Sequence, residues 1–354
     1  MLKNEMKELL HEGTVIPAHP LALNADRTID EYGQRALTRY YMDAGAGGIA
    51  VGVHTTQFEI RNEEFNLYEK VLAMAAEEAE MKTGSTPFIK VAGIAGPTQQ
   101  SIREAKFAAG TGYDLGLVSM GGLTDLTEEQ HLNRIKEIAE HIPVFGFYLQ
   151  PAVGGRVFSY DFWRKFADIE NVHAIKMAPF NRYQTLDVVR AVCHSSRADQ
   201  IALYTGNDDN IVMDLLTTFS FNVNESIVEK QIAGGLLGQW SIWTKIAVEL
   251  FGRIKEARKT ASIPSELLLL NQQVTDANAA VFDAANGFKG CIAGINEVLS
   301  RQGLLKGRWC LLPEEELSPG QGEEITRVYR DYPQLNDDAF VAGHLEKWKA
   351  IGSM

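Results

Sequence analysis

Residues 171–180, NVHAIKMAPF, decide the predicted fold, because they combine an apolar run with one ammonium group. Val172, Ala174 and Ile175 place apolar groups on both faces of an extended chain, and a lysine follows them. A strand that is apolar on both faces and lies between helical segments is typical of a parallel sheet covered by helices. Lys176 needs a separate explanation, since an aliphatic residue would serve the packing better.

Eight runs of this kind lie along the chain, and segments of helical period separate them. They are TVIPAHPL (14–21), GGIAVGV (47–53), PFIKVAGIA (87–95), YDLGLVSM (113–120), PVFGFYL (143–149), VHAIKMA (172–178), QIALYTG (200–206) and TFSFNV (218–223). Eight successive strand and helix units are the repeat of a (β/α)8 barrel, and an open, doubly wound sheet is the alternative. We therefore predict an α/β fold, a (β/α)8 TIM barrel, for residues 1–240.

The strand signal ends near residue 240, and helical periodicity continues beyond it. The segments that follow are SIWTKIAVELFGRIKEA (241–257), PSELLLLNQQVTDANAAVFDAANG (264–287) and FKGCIAGINEVLSRQG (288–303). Residues 241–354 are therefore predicted to form a C-terminal helical extension packed on the barrel.

The composition is that of a globular protein, with 354 residues of which 45% are hydrophobic and 23% charged. A formal net charge of -12 and the lack of a Lys/Arg cluster disfavour nucleic acid as a partner. Cys193, Cys291 and Cys310 are scattered too widely for a disulfide framework, which favours a reducing compartment. The N-terminal segment lacks the apolar core of a signal peptide, and the run ELLLLN is too short to span a bilayer. We expect a soluble, cytoplasmic protein with no membrane partner.

Metal and nucleotide cofactors have little support in the sequence. The eight histidines include no pair at helical ligand spacing. AGGLLGQ (233–239) follows ESIVEKQI (225–232), which we predict to be a helix, whereas a dinucleotide fingerprint must follow a strand. AGGLLGQ is therefore predicted to be a helix end and turn, and we expect no cofactor and no metal. His19 and His54 lie at the C-terminal ends of predicted strands, where barrel enzymes place their chemistry. For either one alone, a hydrogen bond into a loop is the favoured explanation.

Lys176 has a chemical use at the end of a buried strand. A lysine among apolar neighbours has a lowered pKa, so more of it is the free amine that attacks carbonyl groups. Tyr148 ends the preceding strand at the corresponding height, and neighbouring strands lie only ~5 Å apart, so a phenol and an amine can share one substrate. The alternative is a structural lysine paired with a carboxylate across the barrel, and Lys176 alone does not decide between the two.

Six segments, in order along nearly the whole chain, resemble those of one enzyme family. They are HPLALNADRTID (19–30), DAGAGGIAVGVHTT (43–56), FGFYLQPAVGG (145–155), NVHAIKMAPF (171–180), LYTGNDD (203–209) and INEVLSRQGLLKGRW (295–309). On these segments the chain resembles the dihydrodipicolinate synthase and N-acetylneuraminate lyase family of class I pyruvate-dependent aldolases.

The resemblance implies roles for particular residues. Lys176 matches the family's Schiff-base lysine and Tyr148 its proton shuttle. The matching positions for substrate binding are Thr55, His54, Thr56 and Gly206. The resemblance further implies a small 2-oxo acid of the pyruvate type as substrate, and a homotetramer or homodimer as the assembly.

Several positions depart from the family pattern. A gapless match of the T-T-G-E element places His54 and Thr55 on its threonines, whereas a shift of one residue preserves Thr55 and Thr56. The strand-four tyrosines are replaced at Gly121–Leu123, and TTFSFNV lacks the glycine-rich pattern of strand eight. The carboxylate-binding arginine of the synthases would fall near Val153, three residues before Arg156. These departures disfavour lysine biosynthesis, and IKMAPFNRYQTL is closer in spacing to the lyase branch.

We therefore expect an enzyme, a Schiff-base lyase, aldolase or dehydratase acting on a 2-oxo acid, with the imine on Lys176 and Tyr148 moving protons. His54, in the gapless match, would take over part of the missing relay. The alternative is a non-catalytic or regulatory family member that binds a 2-oxo acid without turning it over. A metal-dependent barrel enzyme is a third candidate, which the ligand spacing does not favour.

Overall fold

The computed structural model describes residues 1–83, 86–260 and 262–350. The strands are β1 (Val15–Pro17), β2 (Gly48–Val51), β3 (Ile89–Ile94), β4 (Leu115–Val118), β5 (Val144–Leu149), β6 (Val172–Ala178), β7 (Ala202–Thr205), β8 (Thr218–Val223), β9 (Ser226–Gln231) and β10 (Gly234–Leu237). The helices are α1 (Asn4–Glu12), α2 (Glu31–Ala44), α3 (Tyr68–Thr83), α4 (Thr98–Gly110), α5 (Glu128–Ala139), α6 (Tyr160–Ala167), α7 (Arg182–Cys193), α8 (Ile211–Leu216), α9 (Thr244–Ala257), α10 (Ser265–Val281), α11 (Cys291–Arg301), α12 (Gln321–Asp331) and α13 (Asp338–Ala350).

Eight strands form one parallel sheet in the order β1-β10-β7-β6-β5-β4-β3-β2. A parallel bridge pairs Ala18, just after β1, with Ala50 on β2, and the backbone amide of His19 donates to the Ala50 carbonyl at 2.8 Å. The two ends of the sheet therefore meet, and helices alternate with the strands around it. The predicted fold, a (β/α)8 barrel followed by C-terminal helices, is confirmed.

The central strands are buried on both faces, as their continuous apolar sequences predict. Every residue of β4, β5 and β7 is buried, and β6 has one half-buried residue, His173. On β7 the hydroxyl of Tyr204 donates to the carbonyl of Leu10 at 3.0 Å, which ties α1 to this strand. The strands that carry the candidate site are thus fixed by burial and by backbone pairing.

The prediction for the eighth barrel strand is wrong. TFSFNV is β8, but it pairs antiparallel with β9 in a separate two-stranded hairpin, and the segment read as a helix, ESIVEKQI, supplies β9. The turn between them, Asn224 and Glu225, has φ values of 49° and 66°, the left-handed conformation that two-residue hairpin turns require. Alternating exposure along β8 shows why its sequence resembles a strand without belonging to the buried sheet.

The eighth barrel strand is β10, inside AGGLLGQ, which was predicted to be a helix end and turn. Gly234 pairs with Tyr204, and a Cβ atom at this position would lie 2.4 Å from the Thr14 carbonyl oxygen and 2.9 Å from the Tyr204 ring. A larger residue does not fit between these neighbours. The glycines therefore serve close strand packing, which hides the strand from a search for β-branched residues.

Contacts divide the chain into two compact units. The first unit consists of Met1–Thr14 and Ile89–Leu236, and the second of Val15–Phe88 and the chain from Leu237 onward. The predicted boundary after residue 240 falls in the segment between β10 and α9.

Within the second unit, α2 packs against the C-terminal helices α9 and α13. Arg39 on α2 donates to both carboxylate oxygens of Glu78 at 2.6 and 2.7 Å, and to the carbonyl of Trp348 at 2.5 Å. The hydroxyl of Tyr40 donates to Asp337 at 2.7 Å. The C-terminal helices are therefore joined to α2 by buried polar contacts as well as by apolar packing.

We predict that Arg39→Met lowers the free energy of unfolding by about 3–5 kcal/mol, because it leaves the buried carboxylate of Glu78 without its main partner. Arg35→Met is the matched control. Arg35 contacts the same carboxylate at 3.1 Å but is partly exposed, so its loss costs about 1 kcal/mol or less. Urea unfolding followed by circular dichroism measures both. Equal losses for the two variants would contradict the prediction.

Candidate active site

Lys176 lies on β6 in register with Phe147 on β5 and Tyr204 on β7. Side chains of paired residues in neighbouring strands point to the same side of a sheet. The amine of Lys176 accordingly lies over the Phe147 ring, with Nζ 4.4 Å from the ring centroid. Lys176 is 8% exposed. Its amine is therefore held among strands, with an aromatic face as its neighbour.

Burial lowers the pKa of Lys176 to about 8, and the negative field of Asp208 partly offsets this effect. At pH 7 such a lysine is about one tenth free amine, roughly 300 times the fraction in an ordinary lysine. The free amine is the nucleophile that attacks a carbonyl carbon. The geometry thus gives Lys176 the electrostatic property that imine formation needs.

Gly206 makes the space that the Lys176 side chain occupies. A Cβ atom at position 206 would lie 2.4 Å from Lys176 Cε and 2.9 Å from the Cβ of Ala178. The backbone amide of Gly206 donates to the Met177 carbonyl at 2.7 Å, which continues the pairing of β7 with β6. The expectation that Gly206 binds substrate stays a prediction. In the structure, Gly206 leaves room for the Lys176 side chain.

The loops after β6 and β7 are locked together by buried polar contacts. Asp214 accepts from the Thr205 hydroxyl at 2.6 Å and from the Asn207 side-chain amide at 3.0 Å, and Arg182 forms an ion pair with it. The side-chain carbonyl of Asn207 accepts from the backbone amide of Phe180 at 3.0 Å. Asp208, the next residue and itself buried, is therefore carried on a segment whose position is fixed.

Tyr148 is not brought together with Lys176. Tyr148 pairs with Met177, so its side chain leaves β5 on the face opposite to that of Phe147. The ring packs on Trp163 with centroids 4.9 Å apart, and it lies edge-on to Phe158. Burial raises the pKa of the Tyr148 phenol. The geometry does not support the predicted proton shuttle.

A register shift in the strand pair explains the difference. Val144 pairs with Val172, but Phe145 pairs with Ala174, so His173 is an extra residue on β6. Counting without this bulge places Tyr148 opposite Lys176, as the sequence predicted. The bulge moves the pairing by one residue and exchanges the two faces of the strand. Phe147 therefore takes the place expected for the tyrosine.

The comparisons with known proteins agree with this fold. The model of the dihydrodipicolinate synthetase family matches residues 12–330. The chain belongs to this family. A comparison with curated protein sequences returns no match.

Solved structures of the same fold share few residues with the chain. A dihydrodipicolinate synthase from Oceanobacillus iheyensis is 16% identical, with a TM-score of 0.73 over 93% of this chain and 99% of its own. An N-acetylneuraminate lyase from Fusobacterium nucleatum, solved with pyruvate, is 17% identical, with a TM-score of 0.68 over 92% and 99%. YagE, a prophage protein from E. coli K12 solved with pyruvate, is 15% identical, with a TM-score of 0.72 over 90% and 98%.

The T-T-G-E element of the family falls in the second unit, where the threonine hydroxyls bind backbone groups. Thr56 donates to the His19 carbonyl at 2.6 Å and accepts from the amide of Gly52 at 3.0 Å, while Thr55 donates to the Ala18 carbonyl at 2.8 Å. Gln57 has a φ of 68°, a conformation natural to glycine. This favours the match shifted by one residue, in which Gln57 stands at the family's glycine.

The two strand-end histidines have different surroundings. His19 is fully buried, with Nδ1 2.8 Å from the Pro20 carbonyl and Nε2 2.9 Å from the Thr38 hydroxyl, and burial lowers its pKa to about 4. It is a hydrogen-bonded core histidine. The half-buried His54 has its ring centroid 6.0 Å from that of Phe58. In the shifted match it no longer occupies a threonine position, which removes the basis for giving it a relay role.

The other family departures divide into two kinds. The glycine-rich strand-eight segment is present after all, as AGGLLGQ. Gly121 and Gly122 follow β4 where the family pattern led us to expect tyrosines. The backbone amide of Gly122 donates to the Gly154 carbonyl at 3.1 Å, and a Cβ at Gly121 would lie 2.9 Å from the same oxygen. Arg156 donates to the Leu126 carbonyl at 2.7 Å and so fastens the same pair of loops.

In residues 1–83, 86–260 and 262–350, no three His, Cys, Asp or Glu side chains are grouped so that they could hold a metal ion. Over the same residues, no helix has the length and apolar character needed to cross a membrane.

We predict that Tyr148→Phe changes the free energy of unfolding by less than about 1 kcal/mol, because the ring packing is kept and only a buried hydroxyl is removed. Since the hydroxyl faces away from Lys176, the variant should form any adduct on Lys176 as fast as the original chain. Thermal unfolding and mass spectrometry of the trapped adduct measure the two effects. If Tyr148→Phe forms the adduct ten times more slowly than the original chain, Tyr148 takes part in the reaction and the prediction is wrong.

Proposed function

We propose that the protein is a Schiff-base lyase, aldolase or dehydratase that acts on a small 2-oxo acid of the pyruvate type through an imine on Lys176. Membership in the dihydrodipicolinate synthetase family supports the reaction class. The single observation that carries the proposal is the Lys176 amine, buried on β6 with its pKa lowered to about 8.

The chemistry follows from the amine. Its lone pair attacks the carbonyl carbon of the 2-oxo acid, and loss of water leaves an imine between the substrate and Nζ. The protonated imine withdraws electrons, so a bond to the neighbouring carbon is broken or formed more easily. Cleavage, condensation and dehydration all use this electron sink. The partner aldehyde depends on loop side chains that the shared fold does not define.

A role in lysine biosynthesis is not part of the proposal. The strand-four tyrosines of the family are replaced by glycines that pack against Gly154, and Arg156 is engaged with the Leu126 carbonyl. The glycine-rich strand-eight segment is present, so it no longer counts against a synthase. Two solved relatives described with pyruvate support a pyruvate-type substrate.

A second function is favoured by one observation. Phe147, which has no exchangeable proton, occupies the position beside Lys176 where a tyrosine was expected. A member that forms the imine without turning the substrate over, as a sensor or regulatory protein would, fits this change. The two functions separate at the step after imine formation.

We further propose a cytoplasmic homotetramer or homodimer, with the family as support. A solved relative described as a monomeric dihydrodipicolinate synthase variant shows that the fold also occurs without that assembly. It is 17% identical, with a TM-score of 0.73 over 92% of this chain and 98% of its own.

We predict that pyruvate with borohydride adds one reduced adduct per chain, and that peptide mapping places it on Lys176. Lys176→Met should abolish it. Lys230→Met is the matched control, since burial also lowers the pKa of this lysine but its Nζ donates to the Ala198 carbonyl. An adduct on a different lysine, or none across a panel of 2-oxo acids, would refute the proposed function.

A further inference from the structure

Imine chemistry needs a group that takes a proton from the substrate carbon, and β5 does not supply it at the level of Lys176. The residue in register there is Phe147, whose ring lies under the amine and cannot accept a proton. The phenol of β5, Tyr148, faces the opposite side of the strand. The hydroxyl of Tyr204, which is in register with Lys176 on β7, donates to the Leu10 carbonyl at 3.0 Å. The proton acceptor must come from another strand.

The segment after β7 carries a suitable group. Gly206 lies against the Lys176 side chain, and Asp208 follows two residues later. Asp208 is buried, at 9% exposure, and its negative charge raises the pKa of the Lys176 amine against the larger, opposite effect of burial. A buried carboxylate on the segment that packs beside a buried amine is a candidate to accept a proton from a substrate held by that amine.

The position of Asp208 is fixed by its neighbours. The side-chain carbonyl of Asn207, the residue immediately before it, accepts a hydrogen bond from the Phe180 backbone amide. The side-chain amide of Asn207 donates to the Thr185 hydroxyl at 3.2 Å. These bonds attach the segment to the loop after β6 and to α7. Thr205 and Asn207 both donate to Asp214 on α8. A carboxylate on such a braced segment needs little reorganisation when it takes a proton.

We propose that Asp208 is the general base of the reaction, accepting the proton from the carbon next to the imine and returning it. This inference rests on the proposed function, because it concerns the step after the imine on Lys176 has formed. It assigns to β7 the proton transfer that the sequence had led us to expect from Tyr148 on β5.

The step balances without any further reactant. The bond between the substrate C3 and its hydrogen breaks, and the proton goes to a carboxylate oxygen of Asp208. The electron pair of that bond forms the C2–C3 double bond, while the π pair of the C2–N double bond moves to Nζ of Lys176. A protonated imine and a carboxylate thus become a neutral enamine and a carboxylic acid. Return of a proton from Asp208 reverses the step.

Exchange of the pyruvate methyl hydrogens in D2O measures this step directly. The rate is divided by the fraction of chains that borohydride traps as the Lys176 adduct, so that imine formation and proton transfer are separated. Asp208→Asn keeps the shape and removes the basic oxygen. We expect the trapped fraction to persist and the exchange per adduct to fall by about 10²- to 10⁴-fold, the range for a lost general base. Asp208→Glu should recover part of this loss.

Asp209→Asn is the matched control, because it removes the adjacent carboxylate, whose pKa is raised mainly by burial and whose charged neighbours are Arg182 and Asp214. It should leave exchange per adduct within about twofold. The inference is overturned if Asp208→Asn exchanges like the original chain, or if it folds but no longer forms the adduct, since Asp208 then only holds Lys176. An original chain that forms the adduct without exchange also overturns it and leaves imine binding intact. An original chain that forms no adduct refutes the proposed function itself.

Discussion

The removal of the Lys176 ammonium group from water is the constraint on which the site depends. Burial on β6 lowers the pKa to about 8 and so favours the reactive amine. The cost of burying the charge is reduced by the Phe147 ring at 4.4 Å and by the field of Asp208. The glycine at position 206 is required by the same arrangement, since any side chain there would collide with Lys176 Cε.

One extra residue on β6 decides which groups surround that amine. The bulge at His173 shifts the pairing of β5 with β6, so that Phe147 faces Lys176 and Tyr148 packs outward against Trp163. Bulges redirect side chains without altering the overall sheet, and this one exchanges a phenol for a phenyl ring beside the amine. The family's fold is preserved, and in our proposal the proton transfer is carried by the segment after β7 instead of by β5.

The sequence predicted the barrel because parallel strands buried on both faces leave a strong apolar signal. It singled out Lys176 because a charge in such a run is unusual, but the role proposed for this lysine came from the family resemblance. It could not predict the bulge, because the register between β5 and β6 depends on the packing of both strands in the sheet and is not encoded in either strand's sequence alone. It also misplaced the eighth strand. The hairpin of β8 and β9 has strand-like residues, whereas β10 needs glycines that local propensity assigns to turns. The role that we propose for Asp208 was not expected from the sequence for a related reason, since its segment comes next to Lys176 only when β7 is placed beside β6.

The central claim is that Lys176 acts as a free amine near neutral pH. The rate at which pyruvate and borohydride modify Lys176 should be measured from pH 6 to pH 11, since imine formation begins with the unprotonated amine. Because the pKa of Lys176 is lowered to about 8, we expect the modification rate to reach half its maximum near pH 8 and to be level above pH ~9. A rate that continues to rise beyond pH ~10, as for an ordinary exposed lysine, would contradict the account.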